Sequence, residues 1–176
     1  RIIRVMGSSG FSTVADHVGN LSSILDKCLG ADVMLVNPYS LEAALRINAI
    51  HSPQCTLTRF REEVGQSIRL LKQLKAMGKA VRLKLYSDPP LMKMVFVGDY
   101  LWLQHYPPDV DVQTMPEYIF QHHRHHSGLY NLYAQHFEKR WRDDDIWPAA
   151  GFKDTELGVS MKPEVRHGAT QVYARV

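Results

Sequence analysis

The 176 residues include 45 % hydrophobic and 22 % charged side chains, and 21 Lys and Arg against 18 Asp and Glu leave a formal charge of +3. That length and mix suit one domain with a buried core, and exclude a disordered, collagen-like or disulfide-built chain. No apolar run reaches the ~18 residues of a membrane span, and the charge excess is too small for the basic stripe of a dedicated nucleic-acid binder.

Residues 2–6 (IIRVM) form an apolar run of strand length, broken by Gly7-Ser8-Ser9-Gly10. Thr13 and Asp16 suit a helix start, and Val14, Val18, Leu21, Leu25 and Leu29 then recur at helical spacing. Gly30 is expected to end that helix. Cys28 falls at the end of its apolar face, where a thiol is best read as buried. ADVMLV (31–36) reads as a buried parallel strand.

Asn37-Pro38-Tyr39-Ser40 turns the chain, and Ser40 can cap a helix over 41–50. Ser52-Pro53 ends it. Phe60, Val64, Ile68, Leu71 and Leu74 predict a helix over 59–77, stopped by Gly78. Val81, Leu83 and Leu85 alternate with Arg82, Lys84 and Tyr86, as in a strand with one wet or functional face.

LMKMVFV and YLWLQHY flank Gly98-Asp99 and predict a hairpin over 91–106, because Gly accepts the positive φ of a two-residue loop. Residues 107–128 read as loop with one short helix near 116–126. Ser127 can cap a last helix over 129–142, with Tyr130, Tyr133, Phe137 and Trp141 on one face. Residues 149–168 read as irregular, and Val172, Ala174 and Val176 alternate like an edge strand. The predicted order β-α-β-α-α-β-β-β-α implies an α/β protein with a mixed sheet covered by helices.

Four segments carry chemistry or its plain structural alternative. Ser40 and Arg46 sit just past a parallel strand, where open α/β sheets collect ligands and a helix start suits a phosphate; a helix cap and a surface Arg explain the same residues. Lys93 interrupts an otherwise apolar strand, which is costly unless its ammonium reaches solvent or an anion. Asp99 is most simply a turn residue. His122, His125 and His126 have helical pair spacing, but no third ligand is fixed by spacing, so no metal is expected. His105 and Tyr106, at the end of the hairpin, could border a pocket. The aromatic stripe of the last helix fits core better than a stacking platform. Gly7-Ser8-Ser9-Gly10 is too short for a phosphate loop and lacks its GK[ST] ending.

Cys28 and Cys55 form no CxxC pair and fit a reducing, cytoplasmic setting. The first ten residues lack the apolar core and cleavage site of a secretory leader. The sequence starts at Arg1 without a Met, as a fragment or processed chain would.

The stretch VRLKLYSDPPLMKMVFVGDYLWLQHY resembles the signature region of phospholipase D-like domains, where a strand carries His-x-Lys and an Asp follows near a hairpin turn. Lys93 matches the Lys and Asp99 the Asp, one residue beyond the family's spacing; the His position is Leu91. ADVMLVNPYSLEAALR is similar to segments preceding the motif in a degenerate branch, often attached to bacterial helix-turn-helix regulators or defence proteins. In element order the resemblance covers about residues 1–145. It implies one half of the family fold over 1–146, an extension over 147–176, and a homodimer placing two hairpins around a shared cleft.

In active members the His attacks phosphorus, a role that Leu91 cannot fill. The resemblance therefore implies a non-catalytic sensing or regulatory domain with an inherited phosphate or nucleotide pocket. Lys93, Asp99, Ser40, Arg46, Arg82 and His105 are the candidate contacts. The expected ligand is a phosphorylated small molecule or nucleic-acid end; no cofactor, metal or membrane is expected. The alternative is a divergent phosphodiesterase or nuclease using a histidine from elsewhere, such as His105 or the 122–126 cluster. A third reading is a structural interaction domain.

Overall fold

The computed structural model describes residues 1–15, 21–110 and 115–142, with three short strand segments at 147–148, 163–165 and 172–174. Three parallel strands form its centre: β1 (Ile2–Gly7), β2 (Gly30–Val36) and β3 (Ala80–Tyr86). β4 (Met92–Val97), β5 (Tyr100–His105) and β6 (Tyr118–Gln121) extend the sheet antiparallel from β1. β7 (Trp147–Pro148) pairs antiparallel with β3, so the seven strands run β6-β5-β4-β1-β2-β3-β7. The α-helices among the described residues are α1 (Ser22–Lys27), α2 (Leu41–Ala49), α3 (Leu57–Ala76) and α4 (Leu129–Arg142). The chain is thus an α/β protein with a mixed sheet covered by helices.

All seven residues of β2 are buried, because helices cover both faces of the sheet there. One face carries Val5, Val33, Leu35, Leu83 and Val95; α1 and α3 close over it with Leu25, Val64, Ile68 and Leu71. The other face carries Met6, Met34, Met94, Phe96 and Leu103, and α4 covers it. The Phe96 ring meets Tyr130 and Phe137 edge-on, with centroids 5.6 and 5.8 Å away. No helix among the described residues is long and apolar enough to cross a membrane.

Several sequence expectations hold at residue level. Ser40 Oγ accepts the Ala43 N–H at 3.1 Å and caps α2. Gly98 takes φ +60 in the turn between β4 and β5. Cys28 is buried. α3 starts slightly earlier than its periodicity predicts, because Thr56 caps it by accepting the Arg59 N–H at 3.2 Å.

Others are corrected. The expected helix over Thr13–Leu29 is divided into a π-type turn at Phe11–Ala15 and the short α1, and part of its span lies outside the described residues. Gly30 does not stop a helix; it is the first residue of β2. A Cβ there would lie 2.2 Å from the Ala80 carbonyl oxygen, so the close approach of β2 and β3 requires glycine. The expected helix near 116–126 is instead β6, because Tyr118, Ile119 and Phe120 favour an extended chain and β5 offers them an edge. His122–His126 consequently lies in a loop without helical spacing. The α4 start is closed by Gly128 N–H donating to Asn131 Oδ1 at 3.3 Å. Within the span expected to be irregular, β8 (Pro163–Val165) forms, and β9 (Val172–Ala174) pairs with it rather than with the main sheet.

Candidate functional site

β1 is the point where the sheet changes direction, with parallel β2 on one side and antiparallel β4 on the other. Crevices at such switch points, outside the carboxyl ends of strands, are where α/β sheets bind ligands. The chain leaving β1, Gly7 to Thr13, forms the wall of one cavity there, and its Ser12 and Thr13 also line a second.

Buried hydroxyls hold this wall. Tyr86 Oη donates to the Gly7 carbonyl at 2.9 Å, and Ser67 Oγ donates to the Ser9 carbonyl at 2.9 Å. Tyr106 Oη accepts the Ser8 N–H at 3.2 Å. Burial pushes the Tyr106 phenol up to about 12, and pushes Tyr86 well above its ordinary value. Both phenols therefore stay neutral near neutral pH. Gly10 has φ +72, and a Cβ on it would lie 2.7 Å from Leu35; glycine alone lets the turn press onto β2.

The first cavity, about 220 Å3, is bounded by Gly7–Thr13, Arg46, Thr56, Arg59 and Tyr106, among others. Its cations are engaged. Arg46 donates to the carbonyls of Pro107 at 2.7 Å and Val110 at 3.2 Å, with its guanidinium 5.0 Å above the Tyr106 ring centroid. It ties α2 to the loop after β5. Arg59 pairs with Glu63 at 3.3 Å.

The second cavity, about 230 Å3, is lined by Ser12, Thr13, Leu21, Ile24, Lys93, Val95, Trp102 and Glu117. It shares Ser12 and Thr13 with the first. Lys93 reaches it because β4 alternates: Met94 and Phe96 face α4, while Lys93 and Val95 face the other way. Lys93 Nζ donates to Gln104 Oε1 at 3.3 Å, and Gln104 Nε2 donates to the Met115 carbonyl at 3.1 Å. The neutral amide is its one hydrogen-bond partner among the described residues. Burial lowers the Lys93 pKa, and the nearby Glu117 carboxylate opposes that shift.

Of the six residues predicted from sequence, Lys93 and Arg46 border the switch point. Ser40 is buried, and its Oγ also donates to the Asn37 carbonyl at 2.8 Å, so its hydroxyl is spent on capping. Arg82 lies on the α4 side, bound to both carboxylate oxygens of Asp32 at 2.6 Å and stacked over Trp141. Asp99 sits at the far end of the hairpin, on the order of 15–20 Å from Lys93 along the strand. His105 pairs with Met92 on the face opposite Lys93, its ring against Tyr118. The backbone N–H of His122 donates to the Asp99 carbonyl at 2.7 Å, which puts the start of the histidine loop at that far end too.

Tyr106, expected from sequence to border a pocket, lines the first cavity; sequence reasoning missed Gly7–Gly10, Thr13, Trp102, Gln104 and Glu117 as parts of one site. A Gly-rich turn directly after the first parallel strand was the available signal. Neither cavity has a histidine among its described lining residues. The described residues contain no group of three or more His, Cys, Asp or Glu arranged to hold a metal ion. No protein-family model, curated protein or solved structure matches this chain.

Proposed function

We propose that the chain is a non-catalytic, ligand-sensing domain whose Lys93 cavity takes a small phosphate-bearing anion. One observation carries this reading: the ammonium of Lys93, the second residue of β4, faces a cavity beside the switch point, and among the described residues only a neutral amide is bonded to it. Lys93 is half-buried, so its ammonium is partly desolvated beside a neutral partner, and an arriving anion offsets that cost. Lys93 would bind phosphate as a point charge, with the hydroxyls of Ser12 and Thr13 supplying direction.

Chemistry on the bound phosphate would need an imidazole within about 3 Å. His105 faces away from Lys93, and the histidine loop starts at the opposite end of the hairpin. Leu91, at the nucleophile position of the resembled motif, is 63 % exposed and supplies none. The divergent phosphodiesterase reading therefore gains no support from these residues. A regulatory role in a longer protein, with two copies sharing a cleft, completes the proposal.

The test is thermal denaturation with inorganic phosphate, nucleoside monophosphates and a short oligonucleotide, on the protein and on Lys93→Met. A native-state ligand at 100 times its Kd stabilises by about 2.7 kcal/mol. At least one of these ligands is expected to raise the Tm, and Lys93→Met to abolish that rise. No rise with any ligand, or an equal rise in Lys93→Met, overturns the proposal. Sedimentation velocity reads the paired-copy element; a monomer at every concentration removes it.

A further inference from the structure

We propose that the ligand of the Lys93 cavity is a zwitterion of amino-acid size, with its anionic group on Lys93 and a primary ammonium on Glu117. This rests on the anion-binding reading above and adds what the anion must also carry.

Lys93 and Glu117 line the same cavity. Glu117 acts on Lys93 through space, favouring its charged form. The two do not close into a salt bridge, and the Glu117 carboxylate accepts no hydrogen bond from a described residue. The cavity thus presents both a positive and a negative group to whatever enters.

A simple anion would be attracted by the first and repelled by the second, so its binding is weakened though not abolished. A ligand with a positive N–H group a few ångströms from its negative group makes both interactions favourable. The rest of the lining sets its body: Leu21, Ile24, Val95 and Trp102 are apolar. The volume of about 230 Å3 falls below the ~300–1,000 Å3 typical of sites for drug-sized ligands. That size suits one compact apolar group rather than a dinucleotide. Apolar α-amino acids and aminoalkyl phosphates share the required pair of charges.

Isothermal titration calorimetry on the protein, Lys93→Met and Glu117→Gln separates the possibilities. The probes are L-leucine, aminoethyl phosphate, leucinamide (no anion), N-acetylleucine (no ammonium) and inorganic phosphate; near-UV circular dichroism checks the fold of each variant. At least one zwitterion is expected to bind at least tenfold more tightly than inorganic phosphate, and if leucine binds, each of its one-charge derivatives should be at least tenfold weaker. Glu117→Gln should erase the advantage of the ammonium and leave that of the anion; Lys93→Met should do the reverse. Preference for aminoethyl phosphate supports both readings; preference for leucine identifies a carboxylate as the anion and overturns its being a phosphate.

Inorganic phosphate binding as tightly as either zwitterion, unchanged in Glu117→Gln, overturns the zwitterion while the anion reading stands. No binding by any probe overturns the zwitterion, while the anion reading falls only if the thermal shifts above are absent too; zwitterion binding untouched by Lys93→Met overturns both.

Discussion

The Tyr106 hydroxyl, at the end of β5, accepts the Ser8 N–H at 3.2 Å, just past the end of β1. Those strands are not neighbours, since β4 lies between them. The bond therefore spans the switch point and fixes the wall of the first cavity, which continues into the Ser12–Thr13 turn that both cavities share. Tyr86, from β3, secures the preceding Gly7 carbonyl from the other side. Two phenols, each at the carboxyl end of its strand, shape a backbone segment with few side-chain anchors of its own.

Tyr106 makes the stability pH-dependent. Its pKa rises from 10.0 to about 12 on folding, chiefly through burial. Between those values the folded state holds a proton that the unfolded state has lost, so this contribution is complete below pH 10 and disappears as pH climbs through 12. Urea denaturation is expected to show falling stability across that window. Tyr106→Phe should flatten the fall and cost about 1 kcal/mol at pH 7, because the Ser8 N–H loses its acceptor. An unchanged pH slope in Tyr106→Phe would assign the fall to other groups.

Asp32 and Arg82 predict an asymmetry. Asp32 is only 6 % exposed, whereas the Arg82 side chain is 62 % exposed. Removing the arginine leaves a buried carboxylate without its bidentate partner; removing the carboxylate leaves an arginine that reaches water. Arg82→Leu is therefore expected to destabilise by about 1–3 kcal/mol, and Asp32→Asn by less. Chemical denaturation of both variants checks the order. Neither should alter ligand binding, since the pair lies on the α4 face, away from Lys93.

Gly30→Ala tests the junction of β2 and β3. The new methyl would fall 2.2 Å from the backbone oxygen of Ala80, which cannot move aside as a side-chain tip can. The expected loss is about 1–3 kcal/mol, through strand displacement. A denaturation midpoint equal to that of the unchanged protein would show that the strands separate freely there.

Much of the fold was legible because burial leaves a periodic trace. The apolar run of β2, the 3.6-residue stripe of α3 and the Gly98-Asp99 turn each carry their structure within a few residues. β6 left a weaker trace. Tyr118–Gln121 has no alternation of burial, and its structure depends on the edge that β5 presents. The first helix failed differently: Val14 and Leu25 are both buried, but on separate elements packing against one core. Their shared periodicity imitated a single helix.

For the site, the sequence by itself determined Lys93: an ammonium amid MKMVFV must find water or an anion, whatever surrounds the strand. It also determined the capping by Ser40, which needs only the residues that follow it. Tertiary structure alone decided the company Lys93 keeps. The extended strand put Asp99 at the far end and the register of β4 with β5 put His105 on the opposite face, while Arg82 took Asp32 as its partner from a neighbouring strand. Ser12, Trp102 and Glu117 came to Lys93 from three other segments. A local signal records a residue's own cost of burial; which residues meet across a sheet depends on strand order and register, and those are settled only when the whole core packs.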